Sequence, residues 1–279
     1  MTKTDIVELA PFSTGHDERR TLLRRRRRMQ AMLDRLVAPA LAVIPLAAWQ
    51  VLVPAFGISA FVLPTPLAIL ERVATDFPML LDHMRFTAAE VLGGFALAIL
   101  VGVLLALAIF YSRLVEHAVY PILIALQTVP KVTLAPLIVI YLGYGWGPKI
   151  FLSFLVSFFS IVVSTVVALK ALDRGYVNLI RSMGGTEAQI FFKVRLPAAL
   201  PALFGSLKVA LTLSIIGAII GEYVASERGL GYLQLKANST FDTTLNFASV
   251  VMTSLLGVSL YFIINTLERM FTTPRPSNK

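Results

Sequence analysis

The sequence predicts an all-α integral membrane protein with six transmembrane helices. Three observations predict it. Of its 279 residues, 57% are hydrophobic and only 15% are charged, whereas soluble domains carry about a quarter charged residues. Mean hydropathy is +0.77, and apolar stretches of the ~20 residues that span a bilayer core recur along the chain. The Lys and Arg residues concentrate in one alternate set of the segments between those stretches, as topology signals do.

Composition also excludes several chemistries. With no cysteine, the chain offers no disulfide, thiolate metal site or cysteine nucleophile. His16, His83 and His117 are scattered and form no HExxH-like pair. No GxxxxGK[ST] stretch provides a phosphate-binding loop for ATP.

The elements follow in order. Residues 1–36 form a polar, basic tail with an uninterrupted run from Arg24 to Arg28. It is too long and too charged for a secretory signal and reads as a retained cytoplasmic arm able to meet anionic lipid. Segment 37–62 holds the first span, Val37 to Phe56. Leu63–Pro64–Thr65–Pro66 makes a rigid turn into an external amphipathic segment, 63–85, in which Glu71, Arg72, Asp76, Asp82 and Arg85 alternate with apolar residues. The second span runs from Phe86 to Phe110, with Gly93, Gly94 and Gly102 suited to close helix packing. The third, Val119 to Leu142, contains Gln127, Pro130, Lys131 and Pro136, and the fourth is Ile150 to Leu169.

A cytoplasmic loop, 171–201, interrupts the apolar pattern. Tyr176–Met183 reads as a short amphipathic helix, stopped by Gly184–Gly185, since glycine takes the left-handed helix-ending conformation at little cost. Thr186 is a candidate N-cap for a second short helix to Arg195, which Leu196–Pro197 is expected to break. The fifth span is Ala202 to Val224, with Gly217 and Gly221 at small-xxx-small spacing and Glu222 near its end. A polar loop carrying Gly229–Leu230–Gly231–Tyr232 leads to the sixth span, Leu245 to Leu267, and a basic tail, 269–279, ends the chain.

Charge placement orients these spans. With both termini inside, the inner segments hold eighteen Lys and Arg and the outer ones five: Arg72, Arg85, Lys149, Arg228 and Lys236. Lys131 and Lys208 fall within spans. The net charge of +9 is thus a topology signal and needs no nucleic-acid partner.

Two charges inside spans stand out. Lys131 and Glu222 cannot easily snorkel, and a charge near the bilayer centre costs several kcal/mol, so each is expected to face a cavity or a partner. Gln127 lies four residues before Lys131, on the same face of a regular helix. These three are candidates for the translocation path, with Lys131 and Glu222 a candidate pair. The alternative is an ion pair that only orders the spans. Lys208, near the inner end of its span, is expected to snorkel.

Gly184, then Val194, then Leu196–Pro197 at these spacings resembles the cytoplasmic loop of permease subunits of binding-protein-dependent ABC importers, with Asn178–Leu179–Ile180 standing where that family has Glu-Ala-Ala. Leu63–Pro64–Thr65–Pro66, the run Val129 to Leu137, and Gly221–Glu222–Tyr223–Val224 with Gly229–Leu230–Gly231–Tyr232–Leu233 are similar to the sulfonate, nitrate and taurine branch. Pro130–Lys131–Val132 and Lys193 to Pro197 also resemble members for pyrimidine vitamin precursors. The resemblance implies a type I permease architecture with a core domain at 86–268, and no catalysis in this chain. It implies a homodimer in a bacterial inner membrane, two ATPase subunits carrying ATP and Mg, and a periplasmic or lipid-anchored solute-binding protein. The cytoplasmic loop would be a coupling helix. Asn178, Leu179, Ile180, Arg181, Ser182, Met183, Gly184, Leu196 and Pro197 would serve it, with Leu179, Ile180 and Met183 filling a groove on the ATPase.

Two other classes compete. An ion-coupled secondary transporter uses intramembrane acids and paired interrupted helices, and only Glu222 qualifies. A membrane enzyme needs a nucleophile–base cluster, and none stands out.

Overall fold

The computed structural model describes residues 43–272, and among them every regular element is helical. The chain divides into two compact units, Met1–Ser59 and Ala60–Lys279. In the first, the apolar helix α1 (Val43–Ala55) ends where Gly57 takes a positive φ of 63°. The predicted arm at 1–36, the start of the first span and most of the C-terminal tail lie outside the described residues.

In the second unit, Thr65 accepts the Ala68 N–H (3.3 Å) and Pro66 occupies the first turn of α2 (Pro66–Thr75). This fits proline's preset φ and missing N–H. The amphipathic segment expected to reach residue 85 is shorter than that. Pro78 opens a new helix, α3 (Phe77–Tyr111), whose 35 residues include the expected second span. At 1.5 Å per residue α3 is about 50 Å long, well beyond a ~30 Å hydrocarbon core.

The expected third span is broken. α4 (Arg113–Gln127) and α5 (Lys131–Leu142) meet at a bend of 100°. Pro130 has no N–H to continue the ladder, and Thr128 turns back to bond the Ala125 carbonyl (2.7 Å). α6 (Trp146–Lys170) follows. α7 (Arg174–Ser182) and α8 (Glu187–Ile190) form the polar loop. A five-residue π-turn (Phe191–Arg195) then leads straight into α9 (Leu196–Ala225). α10 (Leu230–Ser239) and α11 (Thr243–Phe271) complete the unit. Four continuous helical stretches are long and apolar enough to cross a membrane, and the bent pair makes a fifth crossing if taken as one.

α6 packs between α3 and α9, and small residues set the distance. A Cβ on Gly217 would fall 2.6 Å from the Leu152 carbonyl oxygen, and one on Gly221 would fall 2.9 Å from the Lys149 Cα. On the other side, a Cβ on Gly94 would lie 2.7 Å from the Ile150 carbonyl oxygen. Hydroxyls stitch the three helices where they come closest. Ser214 Oγ donates to the Val91 carbonyl (3.1 Å), so Ser153 is the donor in its 2.5 Å contact with Ser214. Such bonds satisfy polar groups that lipid could not. Val91, Ala98, Ile161, Val162, Ala210, Leu211 and Ala218 fill the core around them. A second cluster of Leu80, Leu230, Leu233 and Met252 seats α10 at one end of the bundle. Ala168, Leu169 and Ala199 close the opposite end, beside α7.

Candidate functional site

At the α7 end, local sequence builds a sharp reversal. Asp173 accepts the Gly175 N–H (2.8 Å) and opens α7. Gly184 has φ +80°, its N–H reaches the Arg181 carbonyl (2.9 Å), and the Gly185 N–H reaches the Ile180 carbonyl (2.9 Å). These two bonds form a Schellman motif, which needs a residue tolerant of the left-handed conformation. Thr186 caps α8 as expected, in a capping box: its hydroxyl takes the Gln189 N–H while Gln189 Oε1 takes the Thr186 N–H.

The residues around this reversal differ in what they present. Leu179 and Met183 are exposed, at 59% and 79%. Ile180 is half-buried, with its side chain over Gly185, so it does not share their outer face. Tyr176, 62% exposed and three residues before Leu179, takes that place. Asn178 is exposed and its carbonyl accepts from Ser182 Oγ (2.9 Å). Arg181 grips Glu187 Oε1 through Nε (2.8 Å) and Nη2 (2.7 Å), tying α7 to α8.

Leu196–Pro197 does not break the helix. The Leu196 N–H bonds Phe191 O, five residues back. This wider turn makes room for a ring that would otherwise press on the preceding carbonyl. Within the π-turn, Arg195 Nη1 donates to the Leu169 carbonyl at the end of α6 (2.8 Å), and its guanidinium stacks 4.6 Å from the Phe110 ring centre. One side chain thus joins the polar loop to the ends of α3 and α6. Nearby, Lys170 pairs with Glu116 of α4. Lys208 does not snorkel freely: it bonds Asn265 (2.9 Å) and Glu268 (2.5 Å) of α11.

The three residues proposed for a path do not gather. Gln127 and Lys131 flank the bend, so they share no regular helical face. Lys131 Nζ donates to the Gln127 carbonyl (2.6 Å) and stands 5.1 Å from the Phe159 ring centre. It does not pair with Glu222, whose partners are elsewhere.

Glu222 is fully buried near the α10 end. Its Oε1 accepts from Thr87 Oγ1 (2.7 Å) and its Oε2 from the Gly231 N–H (2.5 Å). Thr87 Oγ1 in turn accepts the Leu230 N–H (2.8 Å), and His83 Nδ1 accepts the Gly229 N–H (3.0 Å). The Gly-Leu-Gly run is thereby explained. Gly229 has φ +110°, and a Cβ there would overlap the Glu222 carboxylate, while one on Gly231 would lie 2.9 Å from Oε2.

Beside it lies a pair that the sequence did not reveal. Glu90, fully buried in α3, contacts Lys149 Nζ of α6 at 2.5 Å, and Lys149 is only 6% exposed. Lys149 also donates to Ser226 Oγ (3.0 Å). The Glu90 carboxyl neighbours that of Glu222, so two buried acids stand side by side, one paired with a lysine and the other held by Thr87 and Gly231. Lys149 looked like a loop cation and is instead a helix residue inside the bundle. Glu90 lies within the predicted second span, so the signal that singles out Glu222, a charge inside an apolar stretch, applies to it equally.

Comparison with known proteins follows the same outline. A family model described as "Binding-protein-dependent transport system inner membrane component" matches residues 77–273. The chain is 35% identical over 223 residues to the formylaminopyrimidine transport permease protein ThiX of Halalkalibacterium halodurans, covering 80% of this chain and 89% of that one. It is 35% identical over 234 residues to the riboflavin transport system permease protein RibX of Chloroflexus aurantiacus, covering 83% and 87%. It is 30% identical over 237 residues to SsuC of Escherichia coli, a permease named for aliphatic sulfonates, covering 83% and 89%. In fold it resembles a chain of the inward-facing MetNI methionine ABC transporter, with TM-score 0.62 and 21% identity, covering 70% of this chain and 99% of that one.

Proposed function

The chain belongs to the binding-protein-dependent transport system inner membrane component family, as an ABC transporter permease, and from that membership we propose how it works. Two copies form a translocation path, each docked to its own ATPase subunit, where ATP and Mg are held. A periplasmic or lipid-anchored solute-binding protein delivers the solute at the α10 face. Both termini and the loop 171–201 face the cytoplasm, in keeping with the excess of Lys and Arg there.

One observation carries the coupling role. α7, ended by a Schellman turn, leaves Tyr176, Leu179 and Met183 bare, which suits an apolar groove on a partner. Arg195 then links that lever to α3 and α6. In this reading Asn178, Arg181, Ser182, Gly184, Leu196 and Pro197 shape the lever, and Ile180 braces it from within. Gln127, Lys131 and Glu222 are assigned to the path or its support.

For the solute, an aromatic vitamin or vitamin precursor is favoured over a sulfonate, taurine or nitrate-like anion. Permeases named for formylaminopyrimidine and riboflavin share 35% identity, against 30% for SsuC. The test is purification of the tagged chain from its native membrane. An ATPase subunit is expected to co-purify, and Leu179→Asp with Met183→Asp is expected to release it. Retention of the ATPase by the double variant overturns the docking assignment.

A further inference from the structure

A cavity of about 510 Å³ opens at the α10 end, between α3, the start of α6 and the segment after α9. Small-molecule sites run from about 300 to 1,000 Å³. Its walls are aromatic. Phe86 and Trp146 stand 5.8 Å apart with planes at 45°, so they shape a corner rather than stack to fill it. Trp146 is 46% exposed and Tyr144 87% exposed.

The polar groups define what would fit. Lys149 and Ser226, bonded to each other, are among the lining residues, but that lysine is already neutralised by Glu90. The cation still available is Arg228, whose guanidinium lies 5.0 Å from the Phe86 ring centre and makes no ion pair among the described residues. Next to it, Glu227 lines the same cavity and is equally unpaired. A compact anion gains little here, because an acid stands beside the one open cation. A flat ring does better. It stacks on Trp146 and Tyr144, accepts from Arg228 along one edge and donates to Glu227 along another.

We propose that this cavity is an entry site for a planar heteroaromatic solute bearing both ring acceptors and an exocyclic amino group. The proposal rests on the permease reading and adds to it a place and a chemistry of recognition.

The chain reports on this site itself, having only two tryptophans, Trp49 and Trp146. The Trp49→Phe chain, purified with its ATPase subunit and placed in lipid nanodiscs, leaves Trp146 as the sole tryptophan of the permease. A tag-matched ATPase preparation supplies the background signal. Titration with formylaminopyrimidine is expected to quench Trp146 saturably, with a Kd no weaker than millimolar. Ethanesulfonate at the same concentrations is expected to leave it unchanged. Arg228→Gln and Glu227→Gln, both at exposed positions, each weaken the apparent affinity about tenfold, the size of one charge-assisted hydrogen bond. Linear quenching without saturation, equal quenching by ethanesulfonate, or unaltered affinity in both variants overturns the proposal. Co-purification of the ATPase in the same preparation tests the permease reading separately, so the two fail independently.

Discussion

Glu222 Oε2 accepts the Gly231 N–H at 2.5 Å and so fastens the end of α9 to the first turn of α10. The other oxygen reaches Thr87 of α3. A single carboxyl group therefore ties three helices, and it does so only because both neighbouring glycines lack a Cβ.

Gly229→Ala is expected to lower stability by about 1–3 kcal/mol, the cost of a strained φ together with a displaced buried acceptor. Gly231→Ala acts through contact alone, so its cost is smaller. Thermal unfolding in detergent reads both. Equal melting temperatures for Gly229→Ala and the parent chain would falsify the latch.

The Glu90–Lys149 pair behaves differently. Removing one partner strands a buried charge and typically costs about 3–5 kcal/mol. Glu90→Leu and Lys149→Met are each expected to destabilise strongly, whereas the double variant recovers most of the loss. A double-mutant cycle on unfolding midpoints measures this, and simple additivity of the two single effects counts against the pair.

Gly184→Leu forces a branched side chain into a left-handed turn. The expected cost is about 1–2 kcal/mol locally, with insertion in the membrane preserved. ATP hydrolysis by the assembled complex continues while uptake falls, as judged by parallel assays in proteoliposomes. Unchanged uptake per ATP removes the turn from coupling.

Arg195→Lys keeps the charge but loses the planar group that both stacks on Phe110 and reaches the Leu169 carbonyl. The lysine variant is expected to behave like Arg195→Met, with the ATPase still bound and uptake reduced about tenfold or more, the effect of misplacing an element by an ångström or so. Full activity in the lysine variant shows that charge alone suffices.

Lys131→Met tests the path separately. The ammonium caps a carbonyl of its own chain and has no acidic partner among the described residues, so stability is expected to change within about 0.5 kcal/mol. Uptake is expected to fall at normal expression. Wild-type uptake confines Lys131 to a structural part.

Features set by near neighbours were the legible ones. Gly184, Thr186 and the Leu63–Pro66 turn each act through atoms three to five residues away, and the sequence placed all three. The small residues Gly94, Gly217 and Gly221 signalled close approach, although which helix approached was not written in their spacing. Longer-range relations were hidden. Glu90 and Lys149 meet only once α3 and α6 pack, and nothing near either one announces the other. Pro130 and Pro197 look alike in sequence yet act oppositely. The first sits at a true corner, while the second is absorbed by a wider turn that depends on where the Leu196 N–H finds its acceptor. Ile180 leaves the predicted face for a related reason: it lies within α7, yet the turn at Gly185 folds back against its side chain, a contact that helical periodicity does not contain.

The corner between α4 and α5 sets a limit on the surroundings. The last carbonyls of α4 find donors within the elbow itself: Ala125 from the Thr128 N–H and hydroxyl, Leu126 from the Val129 N–H, and Gln127 from the Lys131 ammonium, where acyl chains would offer none. One of those donors is a charge, which hydrocarbon tolerates poorly, so the annulus of lipid around this subunit is expected to be interrupted at the elbow, where water or another polypeptide can reach the ammonium.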